Sequence, residues 1–273
     1  MIAGRSVGIA LVITLVMTSV PKSIASSPYS ESDLLIAPAI ITSMSGRIEQ
    51  TRSDGKSSLL QPHDIIFADN SSITTSEDGH GFIVFSNGIS LGIDNLSTIE
   101  IERYRQLPFP SNKESLSFEP SVSELKIRLD KGSFALVSDH LSPLSKFIIE
   151  LPIGELRVHS ASAYINYDET GVRITAYSGS LTFYYPEERG REFIAVPTSM
   201  RVSNESVAIG RYAEKITIQE APQSWSIFTS ATENAGKRVF FRSGGRNATP
   251  VPVLIVSPGY FKQPESRPYQ LIE

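Results

Sequence analysis

Apolar residues recur at every second position in several short stretches of this chain. The clearest sets are Ile89, Leu91 and Ile93; Leu125, Ile127 and Leu129; and Val172, Ile174 and Ala176. A period of two places alternate side chains on one face of a β-strand, so each set predicts a strand with one buried face. Residues 82–85 and 147–149 are apolar at every position, which predicts strands covered on both faces.

Turn-forming residues separate these stretches at short intervals. They stand at residues 53–56, 77–79, 86–88, 169–171 and 178–179. The first three of these turns contain an Asp-Gly or Asn-Gly pair, which supplies the positive φ angles that tight hairpins require. Many short strands joined in this way predict an all-β fold, either a sandwich or a short β-roll, and not βαβ units.

Two features interrupt the strands. A proline-containing opening at residues 107–112 leads into a polar stretch that ends at Ser123, and we interpret it as an exposed loop between two halves of the β domain. Residues 223–234 follow a proline and precede Gly236, a typical helix stop. Three of them have helical spacing: Trp225, Phe228 and Ala231. The sequence therefore predicts one short C-terminal helix.

Prolines recur in the last part of the chain, at positions 250, 252, 258, 264 and 268. Because proline lacks a ladder donor, this part cannot be a central strand and predicts an extended, proline-rich tail. The whole segment after Pro222 either packs back on its own sheet or faces a partner protein, and the sequence leaves both alternatives open.

The first 25 residues have the features of a secretory signal peptide. Arg5 precedes an apolar run from Val7 to Val20, and Ser23 and Ala25 suit the −3 and −1 positions of a cleavage site. The run is short for a membrane span, so we expect cleavage after Ala25 and a periplasmic or extracellular protein with no membrane span. The alternatives are an uncleaved anchor or a buried first helix.

These boundaries divide the chain into four parts. We expect a signal peptide at 1–25, an N-terminal lead segment at 26–45, a β domain at 46–220, and the helix with the proline-rich tail at 221–273.

Three stretches in the middle of the chain share an order of motifs. The first joins Ile73-Thr74-Thr75 and residues 81–93 to Ser97-Thr98-Ile99-Glu100-Ile101. The second is Leu129-Asp130-Lys131-Gly132-Ser133-Phe134. The third joins Phe147-Ile148-Ile149 and Leu151-Pro152-Ile153-Gly154 to residues 172–181. Over residues 46–207 this order resembles the FecR domain, the periplasmic sensing module of bacterial regulators that relay an iron-siderophore signal to a sigma factor. The resemblance implies a FecR-like β fold and an exported protein. We expect a stand-alone member without the anti-sigma segment.

Composition and motifs argue against several classes of function. A net charge of −4 over 273 residues offers no basic stripe for nucleic acid. The chain has no cysteine, and its four histidines lack the spacing of a zinc site. Ser53 and Lys56 match a Ser-x-x-Lys motif, but Asp54-Gly55 predicts a turn where such enzymes begin a helix. We expect no enzymatic activity, no cofactor and no metal.

Aromatic residues are the best candidates for a binding surface. The candidates are Tyr164, Tyr167, Tyr177, Tyr184, Trp225, Tyr260 and Phe261. The first four tyrosines lie in adjacent predicted strands, where they either form an outward-facing row that would bind a glycan or a peptide or pack at the edge of a twisted sheet. The first hypothesis is a non-catalytic module of the cell envelope that binds another protein and relays a signal. The alternative is a structural or carbohydrate-binding envelope protein.

Overall fold

The structure is a computed structural model. It describes residues 29–109, 119–139, 141–186, 190–205, 213–244 and 249–254, with the side chain of residue 254 left out. The predicted signal peptide, most of the proline-rich tail, Tyr260 and Phe261 lie outside these residues.

The described residues are mostly β-strands, as the alternation predicted. The first nine strands are β1 (Leu35–Ile36), β2 (Pro38–Ser45), β3 (Ile48–Arg52), β4 (Ser57–Leu59), β5 (Ile65–Phe67), β6 (Ser71–Thr75), β7 (His80–Phe85), β8 (Ser90–Ile93) and β9 (Thr98–Gln106). The others are β10 (Ser123–Ser138), β11 (Lys146–Leu151), β12 (Gly154–Asp168), β13 (Gly171–Tyr184), β14 (Arg191–Ile194), β15 (Thr198–Ser203), β16 (Glu214–Ile216), β17 (Val239–Arg242) and β18 (Val251–Leu254). An α-helix, α1 (Gln223–Gly236), follows the sheet and confirms the predicted C-terminal helix.

Sixteen of the strands form one sheet, and β17 and β18 form a separate hairpin. The long strand β10 divides the sheet in two, because its first part pairs with β9 and β11 and its second part pairs with β8 and β12. The change occurs at Gly132, whose φ of 86° and close approach to the Ser97 backbone leave no room for a side chain.

We call the two parts half-sheet A and half-sheet B. Half-sheet A contains β2, β5, β7, β8, β15 and β16; half-sheet B contains β1, β3, β4, β6, β9, β11 and β14; β10, β12 and β13 run through both. Strands β12 and β13 change halves near Gly179, where a Cβ atom would lie 1.8 Å from the Ser160 carbonyl oxygen. Strands β10, β12 and β13 thus run from one half-sheet into the other and join them.

The inward faces of the two halves share one apolar core. Phe85 of half-sheet A packs edge-on against Tyr104 of half-sheet B, with ring centroids 4.8 Å apart. All nine residues of the alternating sets are buried, which confirms the predicted strand registers. The rule that alternate positions face the core therefore holds in both halves.

The two stretches that are apolar at every position, predicted to be covered on both faces, differ in the structure. In β7, Phe82 and Val84 point away from the main core and are nevertheless buried, as predicted. In β11 the prediction is wrong, because Ile148 is only half-buried on the outer face of half-sheet B.

The C-terminal layer, which we define as residues 223–244 and 249–254, explains why half-sheet A is covered on both faces. Helix α1 packs on β7, β8, β10 and β12, and β17 packs its Val239 and Phe241 against Ile40, Val84 and Phe109. Of the two alternatives for the segment after Pro222, the described part packs on its own sheet. Pro252 lies in β18, which pairs only with β17 among the described strands, as the missing donor of proline requires.

Gly92 permits the close approach of helix and sheet. A Cβ atom at this position would lie 2.3 Å from Thr232 Oγ1 and 2.9 Å from the Phe228 ring. Thr232 is buried, and its hydroxyl donates to the Phe228 carbonyl in the helix. The helix thus lies directly on the backbone of β8.

The β fold begins before the predicted boundary at residue 46. Strand β2 lies within the sheet between β5 and β7, and its residues 38–42 are buried. Because both faces of β2 are covered, its apolar residues do not alternate with polar ones, and this is why the lead segment did not read as a strand. Within the described ranges no helix has the length and apolar character needed to cross a membrane.

Candidate binding faces

Tyr164 lies under the C-terminal layer and not at the surface. Its ring is stacked on Trp225 with centroids 4.6 Å apart and an interplanar angle of 16°. Its hydroxyl donates to Asp94 Oδ2 at 2.5 Å and lies 2.8 Å from Ser133 Oγ. Burial, together with the Asp94 carboxylate, raises the pKa of Tyr164. The tyrosine therefore stays protonated and fixes the helix to the sheet.

Trp225 is half-buried and joins the helix to two strands. In addition to Tyr164 in β12, it contacts Arg173 in β13, whose guanidinium carbon lies 5.2 Å from the ring centroid. Arg173 also donates to Ser199 Oγ at 3.0 Å. These contacts make Trp225 a packing residue of the C-terminal layer, and a direct role in binding stays a prediction.

The other candidate tyrosines lie on different surfaces. Tyr167 packs against the main core, because it lies three positions after Tyr164 and therefore on the opposite face of β12. Tyr177 is half-buried beside the helix, and burial raises its pKa. Tyr184 lies on the outer face of half-sheet B. The predicted outward-facing row of tyrosines therefore does not form.

The outer face of half-sheet B, which we call the bare face, is not covered by the C-terminal layer. Its residues in cross-strand register, from β6 to β14, are Ser72, Glu100, Arg128, Glu150, Glu155, Tyr184 and Arg191. None of these seven side chains is buried. The row crosses seven strands and carries charges of both signs.

Ion pairs connect neighbouring strands of the bare face. Arg128 bonds Glu100, Glu102 and Asp130, and Lys126 lies 2.8 Å from Glu102. Burial alone would raise the pKa of Glu102, but Lys126 and Arg128 outweigh it and hold the pKa below its usual value. The carboxylates at 100 and 102 are therefore partners of basic residues, as expected for solvated positions on a strand.

An open cleft of about 830 Å³ lies along the β10–β14 part of this row. Its floor includes Tyr184, and the Arg157 guanidinium lies 4.3 Å from the centroid of that ring. Its rim includes Pro152, from the turn between β11 and β12, and Arg191, which has no ion pair with any described residue. The cleft thus combines an aromatic floor with fixed charges.

The sequence did not predict this cleft. The sequence singles out residues 151–154 and Tyr184 separately, because about 30 positions lie between them. Only the antiparallel register of β12 with β13, which pairs Glu155 with Tyr184, brings them together. Charged residues at alternate positions of β10 and β12 are the sequence signal of this face.

The described residues hold no group of three or more His, Asp or Glu side chains that suits a metal ion. Ser53 and Lys56 lie in the turn between β3 and β4, where Lys56 pairs with Asp54 at 2.9 Å. The Ser-x-x-Lys match is thus part of a hairpin, as the Asp-Gly pair predicted.

Comparisons with known proteins give little similarity. No family model and no curated protein matches the chain. Two solved structures of a candidate anti-sigma factor from Parabacteroides distasonis, at 2.50 and 1.65 Å resolution, are similar with TM-scores of 0.39 and 0.38 and identities of 13% and 12%. The similarity covers 54% of this chain and 59% of each of those chains, which is less than two thirds of their length. We assign neither a family nor a function at this level of similarity.

Proposed function

We propose that this protein is a non-catalytic binding module of the cell envelope, and that it binds an extended segment of another protein in the cleft of the bare face. The cleft carries this proposal, since it lies on the outer face that the C-terminal layer leaves uncovered. The features of residues 1–25 support export, and the resemblance of residues 46–207 to the FecR domain supports a role in relaying a signal.

The dimensions of the cleft suit a polypeptide. Neighbouring strands lie about 4.8 Å apart, so the distance from β10 to β14 is roughly 20 Å, the length of about six extended residues. A cleft of this volume is within the usual range of ligand sites, about 300–1,000 Å³.

The chemistry of the cleft indicates what the segment carries. Tyr184, Pro152 and Pro186 offer apolar surface for an aliphatic or aromatic side chain. Arg191 lies beside Tyr184 in register and has no carboxylate partner among the described residues, so it is available to an acidic side chain of the partner. An apolar residue next to an acidic one fits this end of the cleft.

Site-specific photo-crosslinking tests the proposal. A photoreactive phenylalanine analogue replaces Tyr184 in the full chain, and cells that make the protein are irradiated. We expect one covalent adduct with a second protein. Introducing Arg191→Glu into the same chain should reduce the adduct yield about tenfold or more, because a like charge replaces an attractive one.

The matched control places the same analogue at Ile227, which is 62% exposed on the far side of helix α1. This position should give no adduct with that protein. An adduct from Ile227 but none from Tyr184 would show that the partner contacts the C-terminal layer, and the proposal would fail.

A further inference from the structure

A second, smaller cavity lies between helix α1 and the outer face of half-sheet A. Its volume is about 310 Å³, at the lower end of the range of ligand sites, about 300–1,000 Å³. The sheet contributes Val137, Ser162 and Tyr177, and the helix contributes Ser230 and Glu233. It is separate from the cleft of the bare face, which lies on half-sheet B.

Two carboxylates line this cavity from opposite sides. Asp139 follows β10 and has no hydrogen bond or ion pair with any described residue. Glu233 comes from the helix and pairs with Lys237 at 2.7 Å. Carboxylates only accept hydrogen bonds, so the cavity favours a ligand rich in donors, and the unpaired Asp139 favours a positive charge.

Hydroxyl groups complete the polar lining. Ser162, Ser178 and Ser230 line the cavity, and none of their side-chain hydroxyls forms a hydrogen bond with a described residue. By contrast, Ser226 and Thr229 donate to carbonyls of their own helix. Three hydroxyls are thus free to exchange hydrogen bonds with a ligand that itself carries hydroxyls.

The remaining lining is apolar. Val137 contributes methyl groups, and Tyr177 contributes its ring, because the hydroxyl oxygen of Tyr177 is shielded from solvent. A ring with C–H groups on one face and donors around its rim matches this combination. An ammonium group near the ring would gain a further cation–π attraction.

We propose that this cavity binds a single amine-bearing sugar ring, a hexose-sized polyol that carries one protonated amino group. Asp139 receives the ammonium group, the three serines exchange hydrogen bonds with the hydroxyls, and Val137 and Tyr177 contact the ring. The other content of such a cavity is water alone, and the experiment separates the two.

The test uses D-glucosamine as the probe, with the full chain and ligand-observed saturation-transfer NMR. D-glucosamine should bind saturably at concentrations up to the order of 10 mM. D-glucose lacks the amine and leaves Asp139 without an ionic partner. Its affinity should therefore be lower by about tenfold or more. Asp139→Asn, which preserves the shape of the side chain, should weaken D-glucosamine binding by a similar factor.

Two variants complete the design. Asp130→Asn makes the same charge change on the bare face and should leave binding of D-glucosamine unchanged. Ser230→Leu places a large side chain in the cavity from the exposed side of the helix and should abolish binding without lowering the melting temperature. The proposal is overturned by absence of saturable binding, by equal binding of D-glucose, or by binding that survives both Asp139→Asn and Ser230→Leu.

Discussion

The two outer faces of the folded sheet have opposite surroundings. The outer face of half-sheet A carries Phe82, Val84 and Tyr164, together with Gly92, and lies under the C-terminal layer. The outer face of half-sheet B carries a row of charged residues and is not covered by the C-terminal layer. Inward positions are alike in the two halves, because both contribute aliphatic side chains to one core.

The difference shows that the outward-facing residues of a strand determine whether a second layer can pack on that face of the sheet. Large apolar residues beside a glycine allow a helix to approach the backbone and bury a second layer. Charged residues in register instead form cross-strand ion pairs that remain hydrated. The account therefore predicts equal effects at inward positions of the two halves and unequal effects at outward ones.

The largest effect should come from an inward charge in either half. Ile127→Asp in half-sheet B and Ile174→Asp in half-sheet A each place an unpaired carboxylate in the same core, where both residues are fully buried. The cost of several kcal/mol is comparable with a typical total stability of about 5–15 kcal/mol. Both variants should be unfolded by circular dichroism at 25 °C.

The outward neighbour of Ile127 provides the control. Arg128→Ala removes surface ion pairs and should lower the free energy of unfolding by no more than about 1 kcal/mol. If Arg128→Ala were as destabilising as Ile127→Asp, the assigned faces of β10 would be wrong.

The next effect should come from removing the cover of half-sheet A. A chain that ends at Ala221 exposes Ile40, Phe82, Val84 and Tyr164, and a fully buried side chain of this kind is worth about 1.5–3 kcal/mol. We expect a much lower melting temperature or aggregation. A chain that keeps its melting temperature without residues 222–273 would refute the packing role of the C-terminal layer.

Phe193→Ser is the counterpart on half-sheet B. Phe193 is 60% exposed in β14 and lies on the bare face beside Thr182. Its replacement should change the free energy of unfolding by only about 0.5 kcal/mol in urea denaturation.

A smaller effect tests the contact between helix and sheet. Gly92→Ala introduces a Cβ atom that overlaps Thr232 Oγ1, and overpacking of this kind costs about 1–3 kcal/mol. Combining it with Thr232→Ala removes the overlapping oxygen. In a double-mutant cycle, the loss in the double variant should be smaller than the sum of the two single losses. Strict additivity would show that the two residues are not in contact.

The smallest effect concerns the ion pairs of the bare face. The pKa of Glu102 is lower in the folded chain, so its ion pairs stabilise the fold above the pKa of the unfolded chain, about 4.3, and this contribution is lost as the pH falls through the folded value. Glu102→Gln should therefore lower the free energy of unfolding at pH 7 by about 1 kcal/mol or less.

The deficit of Glu102→Gln should disappear at pH 2, where the parent carboxyl is protonated as well. Urea denaturation of the parent and of Glu102→Gln at pH 7 and pH 2 measures this difference in the free energy of unfolding. A deficit that is equal at both would show that Glu102 acts through packing and not through charge.

Local sequence patterns were sufficient to predict the strands and the helix, but not which outer face of the sheet is covered. The alternating sets gave the strand registers, and the helical spacing of Trp225 with Gly236 gave the helix and its end. The burial of Tyr164, by contrast, depends on a helix about 60 residues away, and the cleft depends on the pairing of β12 with β13. Long-range contacts of this kind leave no mark in the local period of a sequence, and β2 was missed for the same reason.

Trp225 is the only tryptophan of the chain and lies in helix α1, so its fluorescence reports on the C-terminal layer, while far-ultraviolet circular dichroism reports on the sheet. The central claim is that this layer and the sheet are one folding unit. Urea unfolding of the full chain, followed by both signals in the same samples, tests it directly. The account predicts coincident transitions with one midpoint. A fluorescence transition that is complete at a lower urea concentration than the change in circular dichroism would contradict it.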